Sequence, residues 1–251
     1  MRGTRYPYLK RTILLLCLFF PHSSMAALDE AMQQAGWQEI TFKDKKPNQF
    51  SLSLDAAENS HASQAGHLSH QMITLKSSRS VSVAYYPFEA HQIDLRKTPY
   101  LSFSWQASGD KIISDIGVKG GDDRMLSVYL AFAYQPEHAG FSERLSRPFV
   151  EGVHGRDAPG RLISYVWAAR PDTDDWIENP YTGKAGYMKI LSDADSPHQQ
   201  WISHKVNLLD DFVSLYGFTP DQLLYIAISA DTDDTQTSIT AQVKGITFSE
   251  D

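Results

Sequence analysis

Cysteine is almost absent from this 251-residue sequence, which contains only Cys17. Cys17 lies in an N-terminal segment that we expect to be removed, so the mature chain would contain no cysteine. This absence excludes disulfide bonds, a thiolate nucleophile and a zinc site with cysteine ligands. An exported protein without disulfides is more typical of a bacterial envelope than of a small eukaryotic secreted module.

Basic residues are also scarce, with 23 lysines and arginines against 30 acidic residues. Four of the basic residues lie in the N-terminal segment, so the rest of the chain has 19 basic residues, 30 acidic residues and a net charge of −11. Such a balance argues against nucleic acid as the partner. It leaves open an anionic glycan held by a local basic cluster.

Long apolar runs are limited to one short stretch, TILLLCLFF at residues 12–20. Basic residues precede it and PHSSMAA follows, which is the pattern of a secretory signal peptide. We therefore expect residues 1–26 to be a signal peptide and residues 27–251 to form a periplasmic or secreted protein with no membrane span. The run is short for a permanent span, and an uncleaved N-terminal anchor is the alternative.

The sequence lacks the short motifs that identify common enzyme and cofactor sites. It contains no GxSxG motif, phosphate-binding loop, dinucleotide-binding fingerprint, HExxH pair or EF-hand loop. A pair of catalytic carboxylates for glycoside hydrolysis cannot be chosen, because such a pair is recognised by its separation in space. Catalytic residues therefore stay unassigned, and no cofactor is certain.

What the sequence does contain is a series of short segments in which apolar and polar residues alternate. Turn residues separate these segments, and this arrangement predicts β-strands that pack as a sandwich or barrel. Residues 27–36 and 208–220 have the pattern of short helices. We expect one all-β domain, a jelly-roll-like β-sandwich with one or two short helices. The expected strands are residues 37–42, 50–55, 71–77, 80–86, 100–107, 126–132, 160–169, 187–192, 201–208, 223–231 and 238–249.

The alternation also predicts an inner and an outer face for each strand. Inner faces are apolar, as in Leu101, Phe103 and Trp105. The other expected core residues include Leu126, Val128, Leu130, Phe132, Leu224, Ile226 and Ile228. Outer faces carry Tyr129 and Tyr225 together with serines and an aspartate. Such a face could be a shallow polar binding groove, or a solvent-facing surface of residues that favour strands.

A charged segment, Asp122-Asp123-Arg124, directly precedes one predicted strand. Strand alternation places Asp122 and Arg124 on the side of Leu126, where they would form a charged pair. It places Asp123 on the opposite side with Tyr129, facing the predicted groove. The candidates for binding a polar ligand in this region are therefore Asp122, Asp123, Arg124, Tyr129 and Tyr225.

A second acidic segment, ADTDDT at residues 230–235, follows another predicted strand. Asp231, Asp233 and Asp234 supply hard oxygen ligands at close spacing, and Ca²⁺ binds several such oxygens. If the ends of the two strands lie near each other, these aspartates could bind calcium. The alternative is an ordinary turn, since Asp and Thr side chains commonly bond to their own backbone.

Three further candidates come from residues 151–167. His154 lies among glycines and charged residues, and a histidine near a tyrosine such as Tyr165 could act as general acid or base on a sugar. Trp167 could stack on a sugar ring, because its flat apolar face suits one. The alternatives are a flexible surface loop at residues 151–161 and buried positions for the two aromatic residues.

Several segments occur in an order that resembles one known family. They are YLSFSWQ, KGGDDRMLSVYLAF, LISYVWA, ENPYTGKAGYMKIL, LLDDFVSLYG and IAISADTDDTQTSITAQVKGITF. The sequence resembles the DUF3047 family over about residues 37–249. The resemblance implies an exported bacterial protein of unknown function, and it implies no activity or catalytic residues. Residues 135–159 form a longer insert than the family leads us to expect.

Three functions fit these observations. The first is non-catalytic binding of a glycan or another polar envelope ligand, for which the candidate residues are Asp122, Asp123, Arg124, Tyr129, His154, Tyr165, Trp167 and Tyr225. The second is a lyase or hydrolase that acts on polysaccharide. The third is a structural partner in an envelope protein assembly, with an exposed sheet face that docks another protein.

Overall fold

The computed structural model describes residues 27–55, 67–155, 158–169 and 176–251. The predicted signal peptide lies outside these residues. Within the described ranges, no helix is long and apolar enough to cross a membrane.

Twelve strands in the described chain form two sheets that share one core. In chain order they are β1 (Gln38–Thr41), β2 (Gln49–Leu54), β3 (Gln71–Ser78), β4 (Val81–Pro87), β5 (Tyr100–Gly109), β6 (Arg124–Phe132), β7 (Arg161–Trp167), β8 (Ile177–Asn179), β9 (Gly183–Ser192), β10 (Ile202–Asn207), β11 (Leu223–Asp231) and β12 (Ser238–Ser249). One sheet has the order β1-β4-β11-β6-β7-β9-β8, and the other has the order β10-β5-β12-β3-β2. The strands pair antiparallel, except that β7 is parallel to β9. The predicted all-β sandwich is confirmed.

The inner faces of both sheets meet in the hydrophobic core. Burial alternates residue by residue in β5, where Leu101, Phe103 and Trp105 are buried as the sequence predicts. Trp105 meets Trp167 from the opposite sheet, with ring centroids 5.9 Å apart. Large aromatic side chains remove the most apolar surface from water, so this pair lies among the strongest contributors to the core.

Two β-bulges in the β6–β11 pair change which side chains face outward. The first lies on β6 between Arg124 and Ser127, where three residue steps oppose two on β11. An extra residue reverses the alternation of side chains. Arg124 therefore contacts Ser127 on the outer side, and Met125 joins Leu126 in the core. The prediction that Arg124 lies on the side of Leu126 is wrong for this reason.

The second bulge lies on β11 between Leu223 and Tyr225. Leu223 is buried in the core, whereas Leu224, which alternation places there, is only half-buried. Ile226 and Ile228 are buried as predicted. The extra residue exchanges the positions of the two leucines and leaves Tyr225 directed outward.

Three α-helices lie in the described chain, namely α1 (Glu30–Gln34), α2 (Phe141–His154) and α3 (Leu208–Tyr216). The first and third are the two helices predicted from the sequence. Asn207 caps α3 by accepting a hydrogen bond from the Asp210 N–H at 3.1 Å, and Gly217 ends the helix with a φ of 77°. A polar N-cap and a left-handed glycine after the last turn are common signals of helix ends.

The α2 helix has no counterpart in the sequence-based prediction. Pro148 and Gly152 lie inside it, and both residues disfavour helices. Arg147 holds its polar side to the domain by donating to the Ala158 carbonyl oxygen at 2.6 Å. Tertiary contacts of this kind outweigh the local preference, so the loop predicted for residues 151–161 is wrong in its first part.

The outward side of α2 is apolar. Phe141, Leu145 and Phe149 recur every four residues and are 84%, 66% and 78% exposed. Residues spaced by four lie on one face of a helix. These three side chains therefore form an exposed stripe and contribute little to the core.

Candidate functional site

The two acidic segments that the sequence singles out meet in the structure. Asp123, just before β6, accepts hydrogen bonds from the Thr235 N–H and Oγ1 at 2.6 and 2.5 Å. The Asp234 N–H lies 3.4 Å from the other Asp123 oxygen. We define the carboxylate cluster as Asp122, Asp123, Asp231, Asp233 and Asp234.

Arg124 is buried within this cluster. Its Nη1 lies 3.1 Å from Asp122 Oδ2, so the predicted pair is present, and 3.8 Å from Asp231 Oδ2. Its Nε donates to Ser127 Oγ at 2.8 Å and its Nη2 donates to the Tyr129 hydroxyl at 2.5 Å. Burial acts to lower the pKa of Arg124, but Tyr129, Asp231 and Asp122 raise it overall, so the guanidinium stays charged.

Asp122 and Asp123 are buried together with Arg124 and are engaged by neighbouring groups. The Tyr181 hydroxyl donates to Asp122 Oδ1 at 2.8 Å, and Thr235 binds Asp123 as described. These three charged side chains are therefore not on an open surface where a glycan would lie. The prediction that Asp123 faces an open groove is corrected accordingly, and Asp122 and Arg124, which were also candidates for binding a ligand, are held by partners within the domain.

The surroundings shift the pKa values of Asp231 and Asp233 in opposite directions. Burial raises the pKa of Asp231 to about 8, and Asp233 and Asp123 add to this effect while Arg124 opposes it. Burial also acts to raise the pKa of Asp233, but hydrogen bonds with Asp231 and Lys45 lower it overall. Lys45 contacts the Asp233 carboxylate directly. At pH 7 the Asp231 carboxyl group is therefore mainly protonated, and it shares a hydrogen bond with Asp233.

Three members of the cluster bring carboxylate oxygens together. One oxygen each from Asp123, Asp231 and Asp233 lies within 4.8 Å of the other two. Asp234 lies outside this group, since its side chain is 38% exposed and stands 4.0 Å from Lys45. Of the three predicted metal ligands, Asp231 and Asp233 are therefore close together, and Asp123 takes the place of Asp234.

Three tyrosines lie on the outward face of the seven-stranded sheet. Tyr85 of β4, Tyr225 of β11 and Tyr129 of β6 come from neighbouring strands and are half-buried. The ring centroids of Tyr85 and Tyr225 are 5.3 Å apart. Ala227 pairs in register with both Tyr85 and Tyr129, so a small residue forms the floor between two rings. We define the tyrosine face as Tyr85, Tyr129 and Tyr225.

The tyrosine face adjoins the carboxylate cluster through Tyr129, whose hydroxyl accepts the hydrogen bond from Arg124. Burial raises the pKa of Tyr225 to about 12, and Tyr85 and Tyr129 add to this effect. The Tyr225 phenol therefore stays neutral at pH 7, where it can both donate and accept a hydrogen bond.

Tyr165 and Trp167 face the core, and both side chains are fully buried. The Tyr165 hydroxyl donates to Asp211 of α3 at 2.6 Å, and Trp167 Nε1 donates to the Asp193 carbonyl oxygen at 2.8 Å. Their backbone positions pair with inner-face residues of β6. The prediction that they contact a ligand is therefore corrected, because neither side chain reaches the surface.

His154 is the last residue of α2. Gly155 follows it with a φ of 86° and donates its N–H to the Glu151 carbonyl oxygen at 2.9 Å. The side chain of His154 lies outside the described part of the structure. A role for it as general acid or base stays a prediction.

Sequence reasoning did not identify Lys45, Tyr85 or Tyr181 as members of this region. Lys45 reaches Asp233 from the turn after β1, and Tyr181 reaches Asp122 from the turn between β8 and β9. Both contacts join residues that are distant in sequence, so no local motif reveals them. Tyr85 carries the one available signal, because alternation along β4 places it outward.

A cleft of about 480 Å³ lies at the beginning of β11. Residues between positions 91 and 97 and between positions 219 and 223 line it. Its charged or titratable lining residues are His91, Asp94, Arg96, Lys97 and Asp221. The lining includes none of the residues that the sequence analysis proposed, so this cleft is a separate feature of the surface.

Several solved structures show distant similarity to this chain. The family 11 carbohydrate-binding module from Clostridium thermocellum has 9% identity and a TM-score of 0.38 over 85% of this chain and 88% of that chain. The family 30 carbohydrate-binding module of a cellulosomal cellulase from the same organism has 13% identity and a TM-score of 0.37 over 85% and 87%. Endoglucanase 3 of Trichoderma harzianum, from family GH12, has 11% identity and a TM-score of 0.38 over 84% and 98%. Likeness at this level says nothing about the function of this chain.

Comparison with curated protein sequences gives no match. A family described as "Protein of unknown function (DUF3047)" matches residues 35–247. This match covers most of the chain and agrees with the range in which the sequence resembles that family. The chain therefore belongs to the DUF3047 family of proteins of unknown function.

Proposed function

We propose that the protein is an exported, non-catalytic β-sandwich that binds a neutral glycan on the tyrosine face. The observation that carries this proposal is the position of Tyr85, Tyr129 and Tyr225 on three neighbouring strands of an outward sheet face. A half-buried tyrosine offers an apolar ring and a polar hydroxyl. Sugar rings present the matching combination, with apolar C–H faces bordered by hydroxyl groups.

The sheet holds the tyrosine face in a fixed arrangement. Tyr85 is tied to β1 by a hydrogen bond from its hydroxyl to Gln38 Oε1 at 2.6 Å. Ala131 and Ala227 are buried between the tyrosines, and their small side chains do not project between the rings. Side chains that are already ordered lose little conformational entropy on binding. The face is therefore suited to bind a ligand without rearrangement.

Charge around the tyrosine face favours an uncharged ligand. The five aspartates of the carboxylate cluster lie beside Tyr129, and among the described residues Arg124 and Lys45 are the cations paired with them. The chain after residue 26 has a net charge of −11. A uronate or sulfated glycan would be repelled by this surplus, whereas a neutral glycan would not.

Binding is preferred over catalysis because Asp122 and Asp123, two of the carboxylates in the cluster beside Tyr129, are buried and already paired. Asp122 is held by Arg124 and Tyr181, and Asp123 is held by Thr235. Glycoside hydrolysis requires two carboxyl groups that reach the scissile bond. Tyrosines beside carboxylates that are already engaged in this way support a binding protein.

Affinity gel electrophoresis with soluble neutral β-glucan, and separately with alginate, tests the proposal. We expect the purified protein to be retarded by β-glucan and not by alginate. Tyr85→Ala and Tyr225→Ala should each weaken Kd about tenfold, because each removes one aromatic contact. Tyr100→Ala is the matched control, since Tyr100 is a half-buried tyrosine on the other sheet, and it should bind like the wild type.

Other outcomes favour the alternatives. Release of reducing ends from the polymer would indicate a hydrolase, and unsaturated ends that absorb ultraviolet light would indicate a lyase. Stable co-purification with another envelope protein, without any response to sugars, would indicate a structural partner. Retardation that is unchanged in both tyrosine variants would contradict the tyrosine face as the site.

Export is part of this proposal and rests on the pattern of residues 1–26. Mass spectrometry of the protein recovered from the periplasm or the medium should find an N-terminus at Ala27 or Leu28. Intact protein that begins at Met1 and stays in the cytoplasm would contradict export.

A further inference from the structure

Three carboxylates have the spacing that a single divalent cation requires. One oxygen each from Asp123, Asp231 and Asp233 lies within 4.8 Å of the other two. Oxygens bound to the same Ca²⁺ at about 2.4 Å can be at most about 4.8 Å apart. The three oxygens therefore meet the geometric limit for one shared Ca²⁺.

A second, independent observation concerns the Asp231 carboxylate. Asp231 is only 8% exposed, and among the described residues no donor forms a hydrogen bond with its buried Oδ1. Its Oδ2 is the oxygen that faces Arg124, at 3.8 Å. A buried carboxylate oxygen is costly unless a donor or a cation compensates it. The Asp231 carboxyl group thus has a buried oxygen that no N–H or hydroxyl group compensates, and the Asp233 carboxyl group that it contacts belongs to the same group of three.

The negative charge of the carboxylate cluster also favours a bound cation. The carboxylate cluster has five aspartates, and within the described chain it is paired with two cations, Arg124 and Lys45. With all five aspartates ionised, the formal charge of these seven side chains is −3. A bound divalent cation would offset most of this surplus.

We propose that Asp123, Asp231 and Asp233 form a binding site for one Ca²⁺. Asp123 is positioned for this role because Thr235 holds its Oδ2, while its Oδ1 has only the 3.4 Å contact with the Asp234 N–H. Asp233 lies on the solvent side of the site, next to Lys45, whose side chain is 42% exposed. Ca²⁺ enters from this side and displaces the Lys45 ammonium, and water completes its coordination.

Calcium suits this site better than magnesium does. Ca²⁺ accepts irregular sets of six to eight oxygens, whereas Mg²⁺ requires shorter bonds and a near-octahedral arrangement. Bound Ca²⁺ would connect the start of β6 to the end of β11 and to the turn that follows it. We therefore expect the ion to stabilise the folded protein.

Thermal unfolding of the EDTA-treated protein tests the proposal. The melting temperature is measured with about 5 mM CaCl₂, with the same concentration of MgCl₂, and with NaCl at matched ionic strength. For a Kd of about 50 μM, CaCl₂ at this concentration should raise Tm by about 5–10 °C. MgCl₂ and NaCl should have much smaller effects.

Three variants test whether the calcium-dependent rise in Tm arises at Asp123, Asp231 and Asp233. Asp233→Asn should lose the calcium-dependent rise in Tm, because it removes one of the three ligands. Asp234→Asn is the matched control, since this neighbouring aspartate lies outside the group of three, and it should keep the rise. Lys45→Met should tighten calcium binding about fivefold in a calorimetric titration, because it removes a competing positive charge.

The proposal would be overturned by an absence of any calcium effect, by an equal effect of MgCl₂ or NaCl, or by an undiminished effect in Asp233→Asn. Should Asp233→Asn not fold, the titration of Lys45→Met decides. Tighter binding then supports the site, and unchanged binding overturns it. The assay contains no sugar, so its result is independent of the proposed glycan binding.

Discussion

Single buried polar residues connect parts of the chain that are far apart in sequence. Asp123 binds both the backbone and the side chain of Thr235. Asn48 Nδ2 donates to the carbonyl oxygens of Ser82 and Ala230 at 3.1 and 2.8 Å. Such groups are costly to bury without partners, so each satisfied contact favours one arrangement of the strands over others.

Asp123→Ala should therefore destabilise the fold. We expect the free energy of unfolding to fall by about 2–3 kcal/mol, because the Thr235 N–H and hydroxyl lose their acceptor at a buried position. Urea denaturation in the presence of EDTA measures this change. Asp234→Ala, at the exposed neighbouring aspartate, should change it by less than about 0.5 kcal/mol, and equal losses in the two variants would contradict the structural role of Asp123.

His204 should make stability depend on pH. Burial lowers the pKa of His204 to about 4, and its ring packs 4.8 Å from that of Trp105. An unfolded histidine has a pKa of about 6.5, so between these values the unfolded state binds a proton and the folded state does not. The contribution of His204 to the free energy of unfolding therefore falls as the pH decreases through this window, and it is fully present above the window.

We expect this contribution to fall by about 1 kcal/mol between pH 7 and pH 5, since solvent near the half-buried ring screens part of the effect. Asp231, with its raised pKa, acts in the opposite direction but is present in both proteins compared below, so the contribution of His204 is the difference between them. Urea denaturation at both pH values measures it for the wild type and for His204→Gln. The variant should lose less stability than the wild type does on acidification. The same pH dependence in both proteins would show that His204 is not the titrating group.

At the scale of secondary structure, alternation identified eleven of the twelve strands in the described chain, because most of them bury one face, and it missed the three-residue β8. β5 is the clearest example, with Leu101, Phe103 and Trp105 buried in turn. Alternation failed at the two β-bulges, since an extra residue shifts every later side chain to the other face. It also gave no sign of α2, whose Pro148 and Gly152 read locally as helix breakers.

The same substitution should destabilise the protein strongly in α3 and hardly at all in α2. Phe149 of α2 is 78% exposed, whereas Phe212 of α3 is fully buried with its ring 4.5 Å from that of Phe132. Phe212→Ala should lower the free energy of unfolding by about 3–5 kcal/mol. Phe149→Ala should change it by less than about 0.5 kcal/mol. Urea denaturation measures both, and a loss above about 1 kcal/mol for Phe149→Ala would mean that the stripe packs against the domain.

At the scale of the whole molecule, the meeting of the two acidic segments follows from strand pairing. β6 and β11 are antiparallel neighbours, so the start of β6 lies beside the end of β11. The sequence shows both segments but does not show that these strands pair. It also cannot reveal Lys45 and Tyr181, because only the three-dimensional fold brings them to the carboxylate cluster.

The two-sheet arrangement also separates the roles of the aromatic residues. Tyr165 and Trp167 lie between the sheets and stabilise the core, while the tyrosine face lies on the outside of the larger sheet. The sequence proposes Tyr165 and Trp167 as ligand contacts together with Tyr129 and Tyr225, because it does not show which strand faces are buried. This division leaves the tyrosine face as the aromatic surface on which the proposed function depends.

A nuclear magnetic resonance titration of the labelled protein with a soluble neutral β-glucan oligosaccharide tests the central claim most directly. We predict saturable shifts in the ring signals of Tyr85, Tyr129 and Tyr225, with Tyr100 unchanged. An absence of shifts at millimolar oligosaccharide, or shifts confined to the residues of the cleft at the beginning of β11, would contradict the account.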